Sequence, residues 1–241
     1  MVFPLTAERR QRSDSKGRRK PKEAPIHDAS SRSTLTMQPG VDELTRLGAQ
    51  QPLALACDHF YFLRHGQTPR NVTRIFQSPD EPLSPLGLEQ AAHAAEVLAG
   101  EPIRSIVCSD ARRAFDTAHT VAAKHGIAPV AREVLRERNF GTLIGTSSLD
   151  LDWTCVPEGG ETLAQFIDRK RAAIEHALSH PAPVLLVAHG GTLYVLAALL
   201  GVPLDMSVMG NAQPLRFVRD QGGAWRIEPL AAAGDAPAGL S

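Results

Sequence analysis

The sequence predicts an α/β protein in which a mainly parallel sheet lies between two layers of helices. Short apolar segments with strand character alternate with longer segments of helical character over residues 60–228, which is typical of β-α units joined into a parallel sheet. The strand segments are almost continuously apolar, as expected for strands that are covered on both faces. We therefore expect a three-layer α/β/α sandwich.

The boundaries of these elements follow from capping residues and from apolar runs. Residues 60–63 and 184–188 are apolar runs of strand length. Ser84 and Pro85 supply the capping hydroxyl and the first-turn proline of a helix, and Gly126 follows the end of the next helix. The predicted strands are residues 60–63, 103–108, 129–135, 184–188, 214–219 and 224–228, and the predicted helices are residues 84–99, 109–125, 161–178 and 192–200.

The two ends of the chain differ in composition from its middle. Residues 1–52 are rich in Ser, Pro, Arg and Lys and show no hydrophobic period, so they cannot bury enough apolar surface to offset the entropy of ordering. We therefore predict a disordered basic arm at residues 1–52, a folded domain at residues 53–230 and a loose tail at residues 231–241. Met37 is an alternative first residue, which would shorten the arm.

Composition and charge argue against several classes of function. Residues 1–40 carry nine Lys and Arg against four Asp and Glu, whereas the rest of the chain carries seventeen against twenty-two. This net-acidic body argues against nucleic-acid binding by the folded domain. No segment approaches the roughly 20 apolar residues of a membrane-spanning helix. The three cysteines form no disulfide framework, so we expect a cytoplasmic protein. The oligomeric state stays open, with a homodimer as one possibility. The spacing of His, Cys and Asp resembles no metal site, and we expect no cofactor.

Basic or polar pairs stand at the carboxyl ends of three predicted strands. Ligands of open α/β sheets bind at this edge, so the three pairs should face one crevice. Each pair alone could instead bond loop carbonyls or lie on a solvated helix face, but three at corresponding strand ends favour a common site. Arginine and histidine together suit the binding and attack of a phosphate. The pairs are Arg64-His65, Arg112-Arg113 and His189-Gly190.

Seven sequence blocks in order carry a resemblance to a known family. They are RHGQTPRN (64–71), IFQS (75–78), LSPLGLEQA (83–91), SDARRAFDTA (109–118), LRERNFGTLIG (135–145), PEGGET (157–162) and VLLVAHGG (184–191). Over residues 58–217 the chain resembles the histidine phosphatase superfamily, in the phosphoglycerate mutase-like branch with an RHG motif. The resemblance implies the α/β fold of that family and a site for phosphoryl transfer.

The resemblance implies a role for five residues of this chain. His65 matches the family's nucleophilic histidine, which becomes phosphorylated. Arg64 and Arg113 match the two arginines that bind the phosphate, and His189 matches the second active-site histidine, which we expect to be protonated. Glu137 matches the acid/base glutamate that protonates the leaving oxygen, with a salt bridge to a neighbouring arginine as the alternative. Such a site needs no metal, because phosphoryl transfer depends mainly on positioning and charge stabilisation.

Weaker matches extend the implied site. The resemblance makes Thr68, Asn71 and Gly190 supporting phosphate contacts, and it makes Arg112 a neighbour of the site. These four residues lie in the same blocks as the implied catalytic residues.

The resemblance and one short loop together predict a phosphomonoesterase that hydrolyses a small phosphorylated metabolite through a phosphohistidine. Residues 146–156 form a loop of eleven residues, shorter than the lid that mutases of this family usually carry. We therefore expect an open, wet site in which water hydrolyses the phosphohistidine. Ser78 and Ile144 depart from the family pattern near the pocket mouth and leave the substrate open. Two alternatives remain: a phosphoglycerate mutase that depends on 2,3-bisphosphoglycerate, and a non-catalytic protein that binds a phosphate ligand.

Overall fold

The strands of the protein form one mixed sheet of six, as described by a computed structural model for residues 39–231. They are β1 (His59–Arg64), β2 (Ser105–Ser109), β3 (Val130–Arg132), β4 (Val184–Ala188), β5 (Pro214–Arg219) and β6 (Trp225–Pro229). Their order is β3-β2-β4-β1-β5-β6, with β5 and β6 antiparallel at one side. All pairings among β1 to β4 are parallel, so the predicted mainly parallel sheet is confirmed.

Helices cover both faces of this sheet. They are α1 (Val41–Ala49), α2 (Pro69–Thr73), α3 (Pro85–Leu98), α4 (Arg112–His125), α5 (Leu163–Leu178) and α6 (Gly190–Leu200), with short 3-10 turns at Glu133–Leu135, Gly141–Leu143 and Met206–Val208. Successive side chains of a strand point to opposite faces. In β1, Phe60 and Phe62 join the core formed with α1, α5 and α6, whereas Tyr61 and Leu63 join the core formed with α3 and α4. The predicted three-layer sandwich is therefore confirmed.

The first described helix, α1, corrects the predicted N-terminal boundary. The prediction of a disordered arm through residue 52 is wrong for residues 41–49, which form this helix and bury Val41 and Leu44 completely. A Cβ on Gly48 would lie 2.6 Å from the Cβ of Ala198 in α6, so the two helices pack closely. Val41, Leu44 and Gly48 recur at helical spacing on one side of α1. This short pattern was overlooked because the composition of residues 1–52 as a whole is that of a disordered segment. Residues 1–38 of the predicted arm and 232–241 of the predicted tail lie outside the described residues.

Three other differences from the predicted elements lie at the carboxyl ends of the strands. Strand β3 ends at Arg132 and gives way to a 3-10 turn, whereas the predicted strand extends to residue 135. Helix α6 begins at Gly190 instead of Thr192, because extended His189 is already its N-cap residue. Helix α2 has no predicted counterpart; it is a single turn closed by reciprocal hydrogen bonds at its start.

Two predicted absences concern membranes and metals. Within residues 39–231, no helix is both long and apolar enough to cross a bilayer. The same residues contain no group of three or more His, Cys, Asp or Glu that could hold a metal ion. A cytoplasmic location and metal-free chemistry stay predictions.

Candidate active site

The turn after β1 carries His65 and holds its backbone from both neighbouring segments. The His65 N–H donates to the Ala188 carbonyl at 3.0 Å, and the His65 carbonyl accepts from Asn211 Nδ2 at 2.9 Å. The next N–H, that of Gly66, donates to Thr117 Oγ1 at 3.1 Å. His65 itself is only 3% exposed. These contacts place the imidazole at the carboxyl edge of the central strands.

Two contacts of the His65 ring decide its tautomer. Nδ1 lies 2.7 Å from the Gly66 carbonyl oxygen, which can only accept, so Nδ1 carries the proton. Nε2 lies 3.3 Å from Arg113 Nε, which donates to it. The pKa of His65 lies well below its ordinary value. Burial is the main cause, and the charges of Arg113 and Arg64 add to it. The ring is therefore neutral near pH 7, with the lone pair on Nε2.

Two guanidinium groups supply positive charge beside this ring. Arg113, in the first turn of α4, is 3% exposed and donates from Nη1 to the Ser78 carbonyl at 2.9 Å. Burial lowers the pKa of Arg113 to about 10, so it is still cationic at neutral pH. Arg64 donates from Nη1 to the Met209 carbonyl at 2.6 Å, and its Nε is buried with no hydrogen-bond partner among the described residues. A buried donor without a partner is costly, which suits this atom to an anionic ligand.

His189 brings a second imidazole to the same place. It follows β4, is 1% exposed, and its ring centroid lies 5.2 Å from that of His65. Neither ring nitrogen has a hydrogen-bond partner within residues 39–231. The pKa of His189 also lies well below its ordinary value. Burial is the main cause, and the charge of Arg113 adds to it. Burial thus favours the neutral ring when no phosphate is bound, and protonation of His189 in the phosphate complex stays a prediction.

Glu137 reaches the cluster from the segment that follows β3. Its Oε2 accepts from the Gly191 N–H at 2.8 Å, and its Oε1 accepts from the Arg138 N–H at 2.9 Å. Gly191 lies in the first turn of α6, where the helix dipole favours negative charge. A Cβ on Gly191 would overlap Glu137 Oε1, so the absence of a side chain there leaves room for the carboxyl group.

The arginines on either side of Glu137 have other partners. Arg136 pairs with Asp110, with 2.7 Å between Nη2 and Oδ2. The Arg138 guanidinium donates to the Glu161 carbonyl, at 3.1 Å from Nε and 2.8 Å from Nη2. The alternative of a salt bridge from Glu137 to a neighbouring arginine is therefore not formed, and the carboxyl group stays at the start of α6.

The weaker sequence matches divide between the cluster and its surroundings. Thr68 Oγ1 accepts from the Asn71 N–H at 3.0 Å, and Asn71 Oδ1 accepts from the Thr68 N–H at 3.0 Å. These side chains cap α2, and phosphate contacts by them stay a prediction. A Cβ on Gly190 would lie 3.7 Å from Arg64 Cζ, so this residue borders the cluster. Arg112 has 63% of its side chain exposed, in keeping with a neighbour of the site.

Several residues that position the cluster have no predicted role. Ser78 and Met209 act through main-chain carbonyls, which every residue type has, so no sequence signal could reveal that role. Asn211 and Lys170 act through side chains far along the chain from the segments that they hold. Gly191 had a usable signal, since the second glycine after a histidine at a strand end suggests a close approach.

A crevice of about 460 Å³ begins at Arg113 and Glu137 and reaches the exposed side chains of Val134 and Ile144. Most of the other residues that line it are polar or charged. Two arginines of this wall form ion pairs with carboxylates, Arg136 with Asp110 at 2.7 Å and Arg169 with Glu161 at 2.6 Å. The crevice can therefore hold a polar group that is esterified to a phosphate bound between the guanidinium groups. The other lining residues are Gln77, Pro79, Ala111, Glu133, Arg136, Arg138, Asn139, Glu161 and Arg169.

The carboxyl edge of the parallel strands thus brings together two guanidinium groups and two buried imidazoles. This arrangement is suited to binding an anion and is typical of enzymes that transfer phosphoryl groups. Residues 60–228 match the family model of the histidine phosphatase superfamily (branch 1). The chain therefore belongs to the histidine phosphatase superfamily, as the resemblance of its motifs implied.

Relatives with known names agree with this assignment. The glucosyl-3-phosphoglycerate phosphatase of Mycolicibacterium vanbaalenii is 38% identical, over 62% of this chain and 79% of that protein. The glucosyl-3-phosphoglycerate phosphatase of Mycobacterium tuberculosis (strain H37Rv) is 37% identical, over 62% and 80%. A solved structure of the mycobacterial enzyme with VO3 superposes with a TM-score of 0.61 at 32% identity, over 73% of this chain and 100% of that one. The predicted class, a phosphoric monoester hydrolase with a phosphoglycerate mutase-like fold, is confirmed.

Proposed function

We propose that this phosphatase hydrolyses its small phosphorylated metabolite through a phosphohistidine formed on His65. The main support for this proposal is the tautomer of His65. The Gly66 carbonyl holds the proton on Nδ1, so Nε2 keeps its lone pair beside the Arg113 guanidinium. A phosphate dianion bound by Arg113 and Arg64 would lie in front of this nitrogen. A neutral imidazole between two fixed cations is arranged to attack such an anion.

The first step of the proposed reaction transfers the phosphoryl group to the protein. His65 Nε2 attacks phosphorus, and the bond between phosphorus and the ester oxygen breaks. Arg64 and Arg113 stabilise the charge on the other phosphate oxygens. Glu137 enters this step as the carboxylic acid that the second step regenerates, and it gives its proton to the ester oxygen, which leaves as an alcohol. His189 donates its ring N–H to the phosphate, whose negative charge opposes the effect of burial on the pKa of this ring.

The second step returns the site to its starting state. A water molecule attacks the phosphorus of the phosphohistidine and gives a proton to the Glu137 carboxylate. The bond between phosphorus and His65 Nε2 breaks, inorganic phosphate leaves, and His65 is neutral again. One ester and one water thus become one alcohol and one inorganic phosphate.

The loop at residues 146–156 supports hydrolysis over mutase chemistry. Its Trp153 is 4% exposed, and the ring packs against those of Phe140 and Phe166, each at 6.1 Å between centroids. The Arg138 guanidinium also donates to the carbonyls of Trp153 and Cys155. These contacts anchor the loop at Trp153, which supports a site that stays open to water.

The leaving group of the proposed substrate is a small polar alcohol. The named relatives act on glucosyl-3-phosphoglycerate, whose leaving group is a glyceric acid that carries a sugar. The polar crevice beside Arg113 and Glu137 supports a leaving group of this kind, because its amides and paired charges offer hydrogen bonds to hydroxyl groups. Sugar phosphates and phosphoglycerates are therefore the first compounds to test.

Phosphate release from a panel of phosphorylated metabolites tests the proposed function. We expect inorganic phosphate from at least one sugar phosphate or phosphoglycerate, with the same rate in EDTA. With 3-phosphoglycerate we expect no 2-phosphoglycerate, whether or not 2,3-bisphosphoglycerate is added. Formation of 2-phosphoglycerate would identify a mutase. Binding of phosphate esters without any phosphate release would identify a non-catalytic phosphate-binding protein.

Replacement of Glu137 by glutamine should discriminate between substrates by their leaving groups. An alkoxide needs a proton as it leaves and p-nitrophenolate does not, so kcat/KM should fall about 10²- to 10⁴-fold for an alkyl phosphate. For p-nitrophenyl phosphate the loss should be much smaller. Glu175→Gln is the matched control, because Glu175 is exposed on α5 and pairs with Arg171. Equal losses on the two esters would contradict the role of Glu137 as an acid.

A further inference from the structure

Lys170 is a fully buried cation that the proposed reaction does not use. It lies in α5 on the side that carries Phe166, Ile167 and Ile174, and its exposed fraction is 0%. A buried ammonium group is costly unless its donors are satisfied. An apolar residue would fill this core position without that cost, so the contacts of the ammonium group indicate its role.

The Lys170 ammonium group is bonded to the segment that leads into Glu137. Nζ donates to the Leu135 carbonyl at 2.7 Å and to the carbonyl of the next residue, Arg136. It also lies 5.6 Å from the centroid of the Phe166 ring, within the range of a cation–π interaction. Two successive carbonyls directly before Glu137 are thus fixed to a helix of the core.

The residue before Lys170 extends this set of contacts. The Arg169 guanidinium donates to the carbonyls of Val134 at 2.7 Å, Arg136 at 3.0 Å and Glu137 at 3.2 Å. One turn of α5 therefore fixes every carbonyl from residue 134 to residue 137. This segment contains a 3-10 turn and no strand pairing beyond β3, so these two side chains replace the backbone contacts that a strand would have there.

The far end of Glu137 is fixed independently. Its carboxyl group accepts from the N–H groups of Gly191 and Arg138. The backbone contacts from α5 and the carboxyl contacts at α6 together set the position of the carboxyl group relative to His189. Loss of the backbone contacts would leave the carboxyl group able to move along the crevice.

The charges around Lys170 are consistent with this placement. Burial lowers the pKa of Lys170 to about 7, and the charge of Glu137 opposes that effect. Arg169 and Glu161 are the other charged groups that act on it. Lys170 in turn helps to lower the pKa of His189. The Lys170 ammonium group therefore interacts electrostatically with both Glu137 and His189.

We propose that Lys170 is a positioning residue, which sets the carboxyl group of Glu137 at the start of α6 so that it can protonate the leaving oxygen. The proposal rests on the proposed function, in which Glu137 is the acid. The effect of Lys170 on catalysis should therefore be seen only with substrates whose leaving group needs a proton.

Replacement of Lys170 by methionine tests the proposal, since methionine fills a similar volume and cannot donate. We expect kcat/KM for an alkyl phosphate to fall about 10- to 100-fold, because small misplacements of catalytic groups are costly. The value for p-nitrophenyl phosphate should change much less. In a Glu137→Gln background the same change should add little, because the two residues act as a unit. Lys124→Met is the control, since Lys124 lies on the surface of α4 and pairs with Glu96 at 2.6 Å.

A second variant, Lys170→Gln, keeps an NH2 group that can donate to these carbonyls and should recover part of the activity on alkyl phosphates. Equal losses on both esters, full additivity with Glu137→Gln, or loss of folding by circular dichroism in both variants would assign Lys170 to stability alone and overturn the proposal. Selective loss in Glu137→Gln with no such loss in Lys170→Met would reject the role of Lys170 and leave the proposed function intact. Absence of phosphate release by the unaltered protein would instead reject the proposed function.

Discussion

Replacement of His65 by alanine abolishes phosphate release in our account, with kcat reduced about 10⁴-fold or more, as for other removed nucleophiles. The reason is that the remaining groups can hold a phosphate and stabilise its charge but cannot form the covalent intermediate. Arg64 and Arg113 stay in place, because their other hydrogen bonds run to the carbonyls of Met209 and Ser78. The variant should therefore still bind inorganic phosphate, measured by calorimetry.

The control for this variant is His119→Ala. His119 lies on α4, is exposed and stacks on Phe115 at 6.1 Å between ring centroids, so its loss should leave kcat unchanged. Turnover by His65→Ala at more than a few per cent of the original rate would mean that another residue is the nucleophile. Loss of both turnover and phosphate binding would point to a collapsed site, which circular dichroism and thermal unfolding would detect.

Replacement of Arg113 by methionine has the second largest expected effect, a loss of kcat/KM of about 10³- to 10⁵-fold, as for other arginines that stabilise a transferring phosphoryl group. Arg113 has two tasks in the structure. It supplies a cation for the phosphate, and its Nε donates to His65 Nε2 at 3.3 Å and so fixes the nucleophile. Arg113→Lys should recover little, because only the planar guanidinium group can contact Ser78, His65 and a phosphate at once. The compact ammonium group of lysine cannot.

The adjacent residue offers a matched control for Arg113. Arg112 has the same side chain, precedes Arg113 on the same helix, and has 63% of that side chain exposed beside Asp116. Arg112→Met should change kcat/KM for p-nitrophenyl phosphate by less than about twofold, the effect expected of a surface ion pair. Comparable losses in the two variants would contradict the assignment of Arg113 as the residue that binds the phosphate.

The parts of the fold that the sequence predicted well are those with strong local signals. The apolar runs of β1 and β4 and the Ser84-Pro85 helix start needed no knowledge of distant residues. Helix α1 was missed because its stability comes from packing on α6, about 150 residues further along the chain. The length of β3 was overestimated for a related reason, since Lys170 and Arg169 bond its continuation and replace the sheet contacts there.

The sequence predicted which residues lie together in the site. It did not predict the hydrogen bonds and the burial that position them. The motifs brought Arg64, His65, Arg113 and His189 together because the carboxyl ends of parallel strands share one edge. The effect of burial on the pKa of His189 was not predicted, because desolvation depends on how deeply the folded protein buries a ring. The contacts of the acid were also missed, although the second glycine after His189 was a usable signal of the close approach at Gly191.

Mapping of the phosphorylated residue tests the central claim most directly. The protein is mixed with a phosphorylated substrate, quenched in alkali within one turnover to preserve phosphohistidine, digested, and examined by mass spectrometry. We expect phosphate on the peptide that contains His65 and on no other peptide, with none in His65→Ala and an unchanged amount in His119→Ala. Phosphate on a different residue, or steady turnover with no phosphorylated peptide, would contradict the account.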